Sequence, residues 1–307
     1  MRNELWHVVL NPASGAGSRP GARRRLERAL ARADVRWRLL SADSGSEAER
    51  VVGAAVRNGA RHFAVAGGDG TANTLLNALG SQPDLALDQF TIGLLPLGTG
   101  NDWARTMGVP LSLDGAARLL GKGTACRHDV GVATCAQSAR QRYFINVAGA
   151  GFDAAVVRAA TRRGLGRLRY LHGLLSTAGT YRSPTLRLSG PGFAHEGPTL
   201  VAFAQIGRYL AGGMQIARNG SFADGLFDLT VVASMPAATI VAQVPRLFWG
   251  DLTRSRWVTT RQTAELEIDG DAELQVDGEL IGRLPASLRL LPSALRVIAG
   301  PRAAVQA

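Results

Sequence analysis

Three glycine-rich turns, each placed directly after a short apolar run, constrain this chain more than any other feature. They are Asn11-Pro12-Ala13-Ser14-Gly15-Ala16-Gly17-Ser18, Gly67-Gly68-Asp69-Gly70-Thr71 and Leu97-Gly98-Thr99-Gly100-Asn101-Asp102. The runs before them, Leu5–Leu10, Phe63–Ala66 and Ile92–Leu95, read as strands, and helical patterns follow them. Strand, glycine turn and helix in repetition describe a parallel α/β sheet, whose turns collect at the carboxyl ends of the strands. Glycine lets backbone N–H groups come close to phosphate oxygens, and the helix N-terminus that follows adds favourable dipole charge. One such turn would read as ordinary loop chemistry. Three on one edge, two of them carrying an Asp, point to a phosphate site.

The familiar phosphate motifs are excluded. A P-loop places a Lys after its last glycine, and the sole lysine, Lys122, sits in Gly121-Lys122-Gly123. The Gly-x-Gly-x-x-Gly dinucleotide fingerprint fails after Gly17, where Ser18, Arg19 and Pro20 follow. The protein-kinase signatures are absent.

A second strand is expected over Trp37–Leu40, and helices over about Gly21–Ala33, Ser46–Asn58, Thr71–Leu79, Asp102–Thr106 and Leu113–Leu120. Beyond Asp129 the rhythm changes. Tyr143–Val147 reads as a strand and Phe152–Tyr181 as one or two basic helices. Short apolar runs broken by turns then follow: Thr185–Leu188, Leu200–Gln205, Phe227–Val232, Ala264–Ile268, Glu273–Val276, Ser287–Leu290 and Leu295–Ile298. They suggest an antiparallel β domain, with Thr239–Leu247 as a helix entered after Pro236. At 307 residues, two domains are the natural expectation: an α/β domain over 1–130, rejoined by a last strand at about 293–300, and a β-rich domain over 131–292.

The N-terminus does not read as a signal peptide, and no apolar run approaches the roughly 18–20 residues of a membrane span. Cys126 and Cys135 lack metal-ligand spacing, and a cytoplasmic compartment is expected. The net charge of +11 comes almost wholly from arginine. Eight arginines lie between Arg19 and Arg38, and Ala154–His195 holds seven with no acidic residue. Such surfaces attract nucleic acid, phosphates or an anionic membrane.

Asn11-Pro12-x-Ser14-Gly15, Gly67-Gly68-Asp69-Gly70-Thr71-x-Asn73 and Pro96-Leu97-Gly98-Thr99-Gly100-Asn101-Asp102 strongly resemble the diacylglycerol kinase catalytic-domain family. The resemblance continues through Phe144–Asp153, Ala223–Asp228 and Val276-Asp277-Gly278-Glu279, so it spans the chain in order. Gly-Gly-Asp-Gly-Thr alone is shared with NAD kinases. The resemblance implies an N-terminal α/β nucleotide-binding domain (parallel sheet, NAD-kinase/phosphofructokinase-like), a C-terminal antiparallel β-sandwich domain, and a cleft between them.

By position, the resemblance assigns ATP phosphates to Asn11, Ser14, Gly67, Gly68, Gly70, Thr71, Asn73, Gly98 and Thr99, with Ser41 at a nucleotide-contacting position. Asp69 would serve the catalytic Mg²⁺, supported by Asn101, Asp102 and Asp129. Asp277 would be the general base, with Glu279 next along the same face if that segment is extended. Read without the family, Asp277-Gly278 is equally a hairpin turn. Ser221, Asp224 and Leu226 match a loop that binds a structural Mg²⁺ in bacterial relatives. The implied activity is transfer of phosphate from ATP to a lipid hydroxyl, with diacylglycerol the first acceptor to consider. The lipid would be met peripherally at a membrane surface, with no nucleic acid partner and homodimerisation left open. The acid-free Ala154–His195 segment is the candidate for membrane docking. A soluble NAD-kinase-like enzyme and an inactive nucleotide- or lipid-binding protein are the alternatives. Trp249 and Trp257, near Phe248, read as core or domain packing.

Overall fold

The computed structural model describes residues 4–12, 20–137, 141–160, 167–216, 220–249 and 252–304. Ser14 lies outside that set with the remainder of its turn after Pro12, as do Arg162 and Arg163. The chain divides into two compact units: residues up to Asp129 together with those from Ser293 onward, and Val130–Pro292.

The first unit runs β1 (Leu5–Leu10), α1 (Ala22–Arg32), β2 (Arg36–Ser41), α2 (Gly45–Arg57), β3 (His62–Gly67), α3 (Asp69–Gly80), β4 (Thr91–Pro96), α4 (Asp102–Thr106) and α5 (Leu113–Lys122). β5 (Thr124–Cys135) then carries the chain into the second unit. That unit holds β6 (Gln141–Phe144), β7 (Val147–Gly151), α6 (Phe152–Ala160), α7 (Arg167–Ala178), β8 (Thr185–Gly190) and β9 (Phe193–Gln205). The two-residue strands β10 (Tyr209–Leu210) and β11 (Met214–Gln215), then β12 (Phe227–Ala233) and α8 (Ala237–Trp249), follow. It finishes with β13 (Val258–Thr263), β14 (Glu265–Gly270), β15 (Glu273–Val276) and β16 (Glu279–Arg283). β17 (Ala286–Ala299) returns to the first unit and α9 (Pro301–Ala304) ends the described chain.

In the first unit the strands stand in the order β2-β1-β3-β4-β17, every neighbour parallel. β4 is buried along its whole length and β3 at all but His62, as a strand covered on both faces must be, so each reads as an apolar run. β2, at the edge, alternates between exposed and half-buried. α2 starts where Ser44 accepts a hydrogen bond from Glu47 N at 3.2 Å, an N-cap visible in the sequence. The register sets Leu10 beside Ala66 and Gly67 beside Pro96. The carboxyl ends of β1, β3 and β4 therefore finish level, and their turns leave from one edge.

The second unit is antiparallel in every pairing described within it. β9 serves two sheets: Phe193–Pro198 pairs with β8, and Thr199–Gln205 runs between β7 and β12. A strand that passes from one sheet to another makes the corner of a sandwich. β8 and β14 bury alternate residues, Leu186 and Leu188 on one, Leu266 and Ile268 on the other. The expected strand Tyr143–Val147 is in fact two, because Ile145 and Asn146 bend between β6 and β7. Ser287–Leu290 and Leu295–Ile298 are instead one strand, β17, whose first part pairs with β14 and whose last part pairs with β4.

Asp129, expected beside an acidic pocket, is fully buried, and its Oδ1 accepts from Ser293 N at 2.6 Å, at the point where the chain re-enters the first unit. The preceding His128 is also fully buried. Trp103 Nε1 donates to His128 Nε2 at 3.1 Å, which leaves Nδ1 to carry the proton it gives to Asp129 O at 2.5 Å. Burial pushes the His128 imidazole down to about 4 from 6.5. A second proton, on Nε2, would point at the indole N–H. The unfolded chain binds that proton more readily, so stability contributed by His128 is full above about 6.5 and falls as pH drops toward 4. The expected loss approaches about 1.4 kcal/mol per pH unit inside that window. Urea unfolding of the parent and of His128→Gln between these pH values checks it: the variant is less stable but shows the flatter slope.

Candidate functional site

The turns after β3 and β4 in the first unit are built against each other. Gly67 O accepts from Leu97 N at 2.9 Å and from Gly98 N at 3.2 Å, tying the second turn to the first. At the next position the backbones touch. A Cβ on Gly98 would lie 2.4 Å from Gly68 Cα, and one on Gly68 would lie 3.0 Å from Gly98 Cα. A Cβ on Gly67 would meet the Thr71 side chain at 2.5 Å. These three glycines are required by close approach rather than by positive φ.

Asp69 opens α3, and its carboxylate reaches across to the start of α4, where it accepts from Asp102 N at 3.1 Å and Trp103 N at 3.0 Å. One acidic side chain thus caps the helix that follows the other turn. Asn101, in left-handed conformation with φ 54°, donates Nδ2 to Gly98 O at 2.8 Å. The first turn of α3 has no side-chain cap of its own. Its amides, behind Gly67 and Gly68, are the kind of orphan donors an anion satisfies. Gly70 and Thr99 are exposed, whereas Thr71, Asn73 and Asp102 are buried, Asn73 accepting from Asn77 Nδ2. Ser41 is exposed at the end of β2, beside Leu10, and Asn11 is half-buried just after β1. Asp69, Gly67, Gly68, Gly98, Asn101 and Asp102 are therefore gathered on one edge.

In the second unit, Asp277 and Gly278 form the two-residue turn between β15 and β16, with φ of 46° and 87°. The Asp277 carboxylate is turned back onto the bend between β6 and β7. It accepts from Ile145 N, Asn146 N and Val147 N, each at 3.0 Å. These bonds hold the bend that splits the expected strand. These three donors fix the carboxylate in the turn. Because the chain reverses at Asp277-Gly278, Glu279 does not follow Asp277 along one extended face. It starts β16 opposite Val276 and pairs with Arg142. Gln275 and Asp153, neither singled out in the sequence, brace the turn. Gln275 Oε1 accepts from Gly278 N at 2.7 Å while Nε2 donates to Asp153.

The Asp224 turn closes on itself. Asp224 Oδ1 accepts from Leu226 N at 3.1 Å, Gly225 takes φ 78°, and Ser221 Oγ accepts from Ala223 N at 3.3 Å. Gln262 Nε2 bridges Asp224 and Asp228, at 3.4 and 3.2 Å. Burial, with the nearby Asp224 charge, raises the Asp228 carboxyl above its usual range.

The same unit contains an apolar pocket enclosing about 560 Å³ including its mouth, with Phe152, Leu200, Phe203, Met214, Val244 and Leu247 among its walls. Among the described residues of the lining, Gln243 is the one with a polar amide side chain. The sequence alone does not reveal the pocket, since its lining is spread from Phe152 to Leu252 over many separate elements and each residue reads as ordinary core. Of the seven arginines of Ala154–His195, the side chains of Arg158, Arg182 and Arg187 are described. Arg158 pairs with Glu273, and Arg187 with Glu196 and Asp269.

Residues 5–133 match the diacylglycerol kinase catalytic domain, and residues 146–299 match the YegS C-terminal NAD kinase beta sandwich-like domain. A probable lipid kinase YegS-like protein of Pseudomonas putida is 32% identical over 83% of this chain and 85% of its own. Its counterpart in Yersinia enterocolitica is 29% identical over 81% and 82%. Two solved chains from Bacillus anthracis str. Sterne share the fold, with TM-scores of 0.78 and 0.73 at 23% and 21% identity, each match covering 98% of both chains. The second is described as a diacylglycerol kinase.

Because the two turns touch at Gly68 and Gly98, Gly98→Ala is expected to force them apart and displace α4. Nucleotide affinity should fall by at least about tenfold, a cost of the size overpacking brings. Calorimetric titration with ATP, beside urea unfolding to confirm the fold, measures it.

Proposed function

The chain belongs to the family that joins a diacylglycerol kinase catalytic domain to a YegS-type β-sandwich domain, and on that premise we propose that it transfers the γ-phosphate of ATP to a lipid hydroxyl, diacylglycerol being the first acceptor. The observation that carries the reading is the pair of touching glycine turns at the carboxyl edge of β3 and β4, with Asp69 spanning them. Backbone amides in a fixed cradle suit phosphoryl transfer, where positioning and charge stabilisation do most of the work.

Gly67, Gly68, Gly98 and the uncapped first turn of α3 hold the phosphates in this reading. Asp69 and Asn101 offer oxygen donors that fit Mg²⁺, an ion ordinarily held by one or two carboxylates, water and substrate phosphate. When bound, that ion neutralises charge on the transferring group. Asp69 keeps its place because two amides of α4 already fix it. Asp277, held in place by its three amide donors, accepts the proton of the attacking hydroxyl in this reading. The apolar pocket of the second unit is where an acyl chain would go, since nearly everything in its lining is apolar. Ser221, Asp224 and Leu226 are the proposed holders of a structural cation, with the Asp224 turn as its frame. No helix among the described residues is long and apolar enough to cross a membrane. The proposed meeting with the acceptor is peripheral, at the cytoplasmic side.

Transfer of labelled phosphate from ATP to diacylglycerol, sphingosine and ceramide in mixed micelles tests the reading, with NAD as the soluble control. Phosphorylated lipid is expected, and product from NAD alone would replace this reading with a soluble kinase. Asp277→Asn should lower transfer by at least about 100-fold, the range of general-base removal. It should also cost about 1–3 kcal/mol of stability, because an amide NH₂ would face a backbone N–H donor. Urea unfolding and ATP titration separate the two effects. A folded, ATP-binding Asp277→Asn that transfers at the parental rate would show that another group takes the proton.

A further inference from the structure

Helix α8 departs from the rule that a surface helix is polar on its outer side. Ile240, Gln243, Val244 and Leu247, spaced to share one face, line the apolar pocket. The exposed residues are Ala237, Ala238, Val241, Ala242, Pro245, Arg246 and Phe248. Val241 is 45% exposed and Phe248 46%. The Trp249 side chain, read as packing, lies outside the described set. Val241, Pro245 and Phe248 fall on one stripe at i, i+4 and i+7, and Arg246, on its flank, is the one exposed side chain among the described residues of the helix that is not apolar. An apolar stripe on the outer side of a helix gains nothing from water and is suited to an apolar partner. α7 packs against α8 and contributes Leu175, 48% exposed.

Charge selects the occupant. Neither α7 nor α8 contains an acidic residue. Between Leu229 and Ala264 four arginines, Arg246, Arg254, Arg256 and Arg261, stand against one acid, Asp251, which lies outside the described residues. A second copy of this chain, at net charge +11, would bring like charge to the face. An anionic bilayer brings the opposite charge and an apolar interior.

We propose that the outer face of α8 seats on an anionic lipid bilayer, with Val241 and Phe248 entering the acyl boundary and Arg246 reaching the headgroup phosphates. The choice of a bilayer over a protein rests on the lipid-acceptor reading above. The inner face of the same helix then lies toward the apolar pocket while its outer face lies in lipid.

Flotation of the full chain with phosphatidylcholine vesicles, with and without phosphatidylglycerol, tests this. The parent is expected to float with the anionic vesicles. Val241→Ser combined with Phe248→Ser should weaken that binding by at least about tenfold, since both apolar contacts are lost. Arg246→Gln should weaken it about fivefold on anionic vesicles and leave neutral ones unaffected. Both variants should keep ATP binding, parental elution volume and phosphorylation of a short-chain, monomerically dispersed acceptor. A double variant that floats like the parent overturns the proposal. So does one that turns a dimeric parent into a monomer without changing flotation, which would assign the face to a second copy. Loss of flotation in the variants, beside a parent that phosphorylates no lipid, upholds the docking face and removes the kinase reading. Unchanged flotation beside intact lipid phosphorylation does the reverse.

Discussion

The contact between Gly68 and Gly98 leaves no space for a side chain, and the first unit is arranged to keep it. Parallel pairing of β3 with β4 brings Gly67 beside Pro96, so the two turns must leave the sheet together. Gly67 O then takes two amides of the second turn, which draws the backbones into touch one residue later. Asp69 completes the arrangement by capping α4 from the start of α3. Trp103, the next residue in α4, is locked in turn by His128 at the far end of a fully buried hydrogen bond. The edge is braced because the side chains of Asp69 and Asn101 and the carbonyl of Gly67 are bonded across it.

Several acidic side chains in this protein act first as acceptors for backbone amides. Asp69 holds α4, Asp129 holds the returning strand at Ser293, and Asp277 holds the bend between β6 and β7. Asp224 closes its own turn onto Leu226. A carboxylate that accepts several amides is fixed in position at no cost in mobile side-chain entropy during a reaction, which is what a catalytic group needs. The structural roles of Asp69 and Asp277 are therefore compatible with the chemical roles proposed for them.

The second unit meets a different demand. Its sheets carry the bends and hairpins, while its helices cover an apolar pocket rather than a polar surface. α8 is the sharpest case, with core-like residues on both of its sides. An ordinary soluble domain would place Lys, Glu or Gln on the outer stripe, since apolar surface left in water gains nothing.

The first unit was legible because its information is local. Strands buried on both faces read as apolar runs, glycine turns mark their ends, and Ser44 announces α2, all within a few residues. The second unit was less legible because its strands are half polar and their partners are distant. β13 is mostly exposed Thr, Arg and Gln, and β5 carries Arg127, His128 and Asp129 in its middle, so neither reads as a strand. β17 reads as two strands because it pairs with one sheet before Pro292 and another after Ser293. By itself, the sequence determined the order of elements in the α/β unit, the glycines at its edge and the identity of the acidic residues. Only the tertiary structure decided that Asp277 sits in a hairpin turn facing three amides some 130 positions away, that Glu279 faces Arg142 instead of sharing its strand, and that Phe248 points outward. Hydrogen-bond partners and exposure depend on which distant segments arrive beside a residue, and local residue patterns do not carry that information.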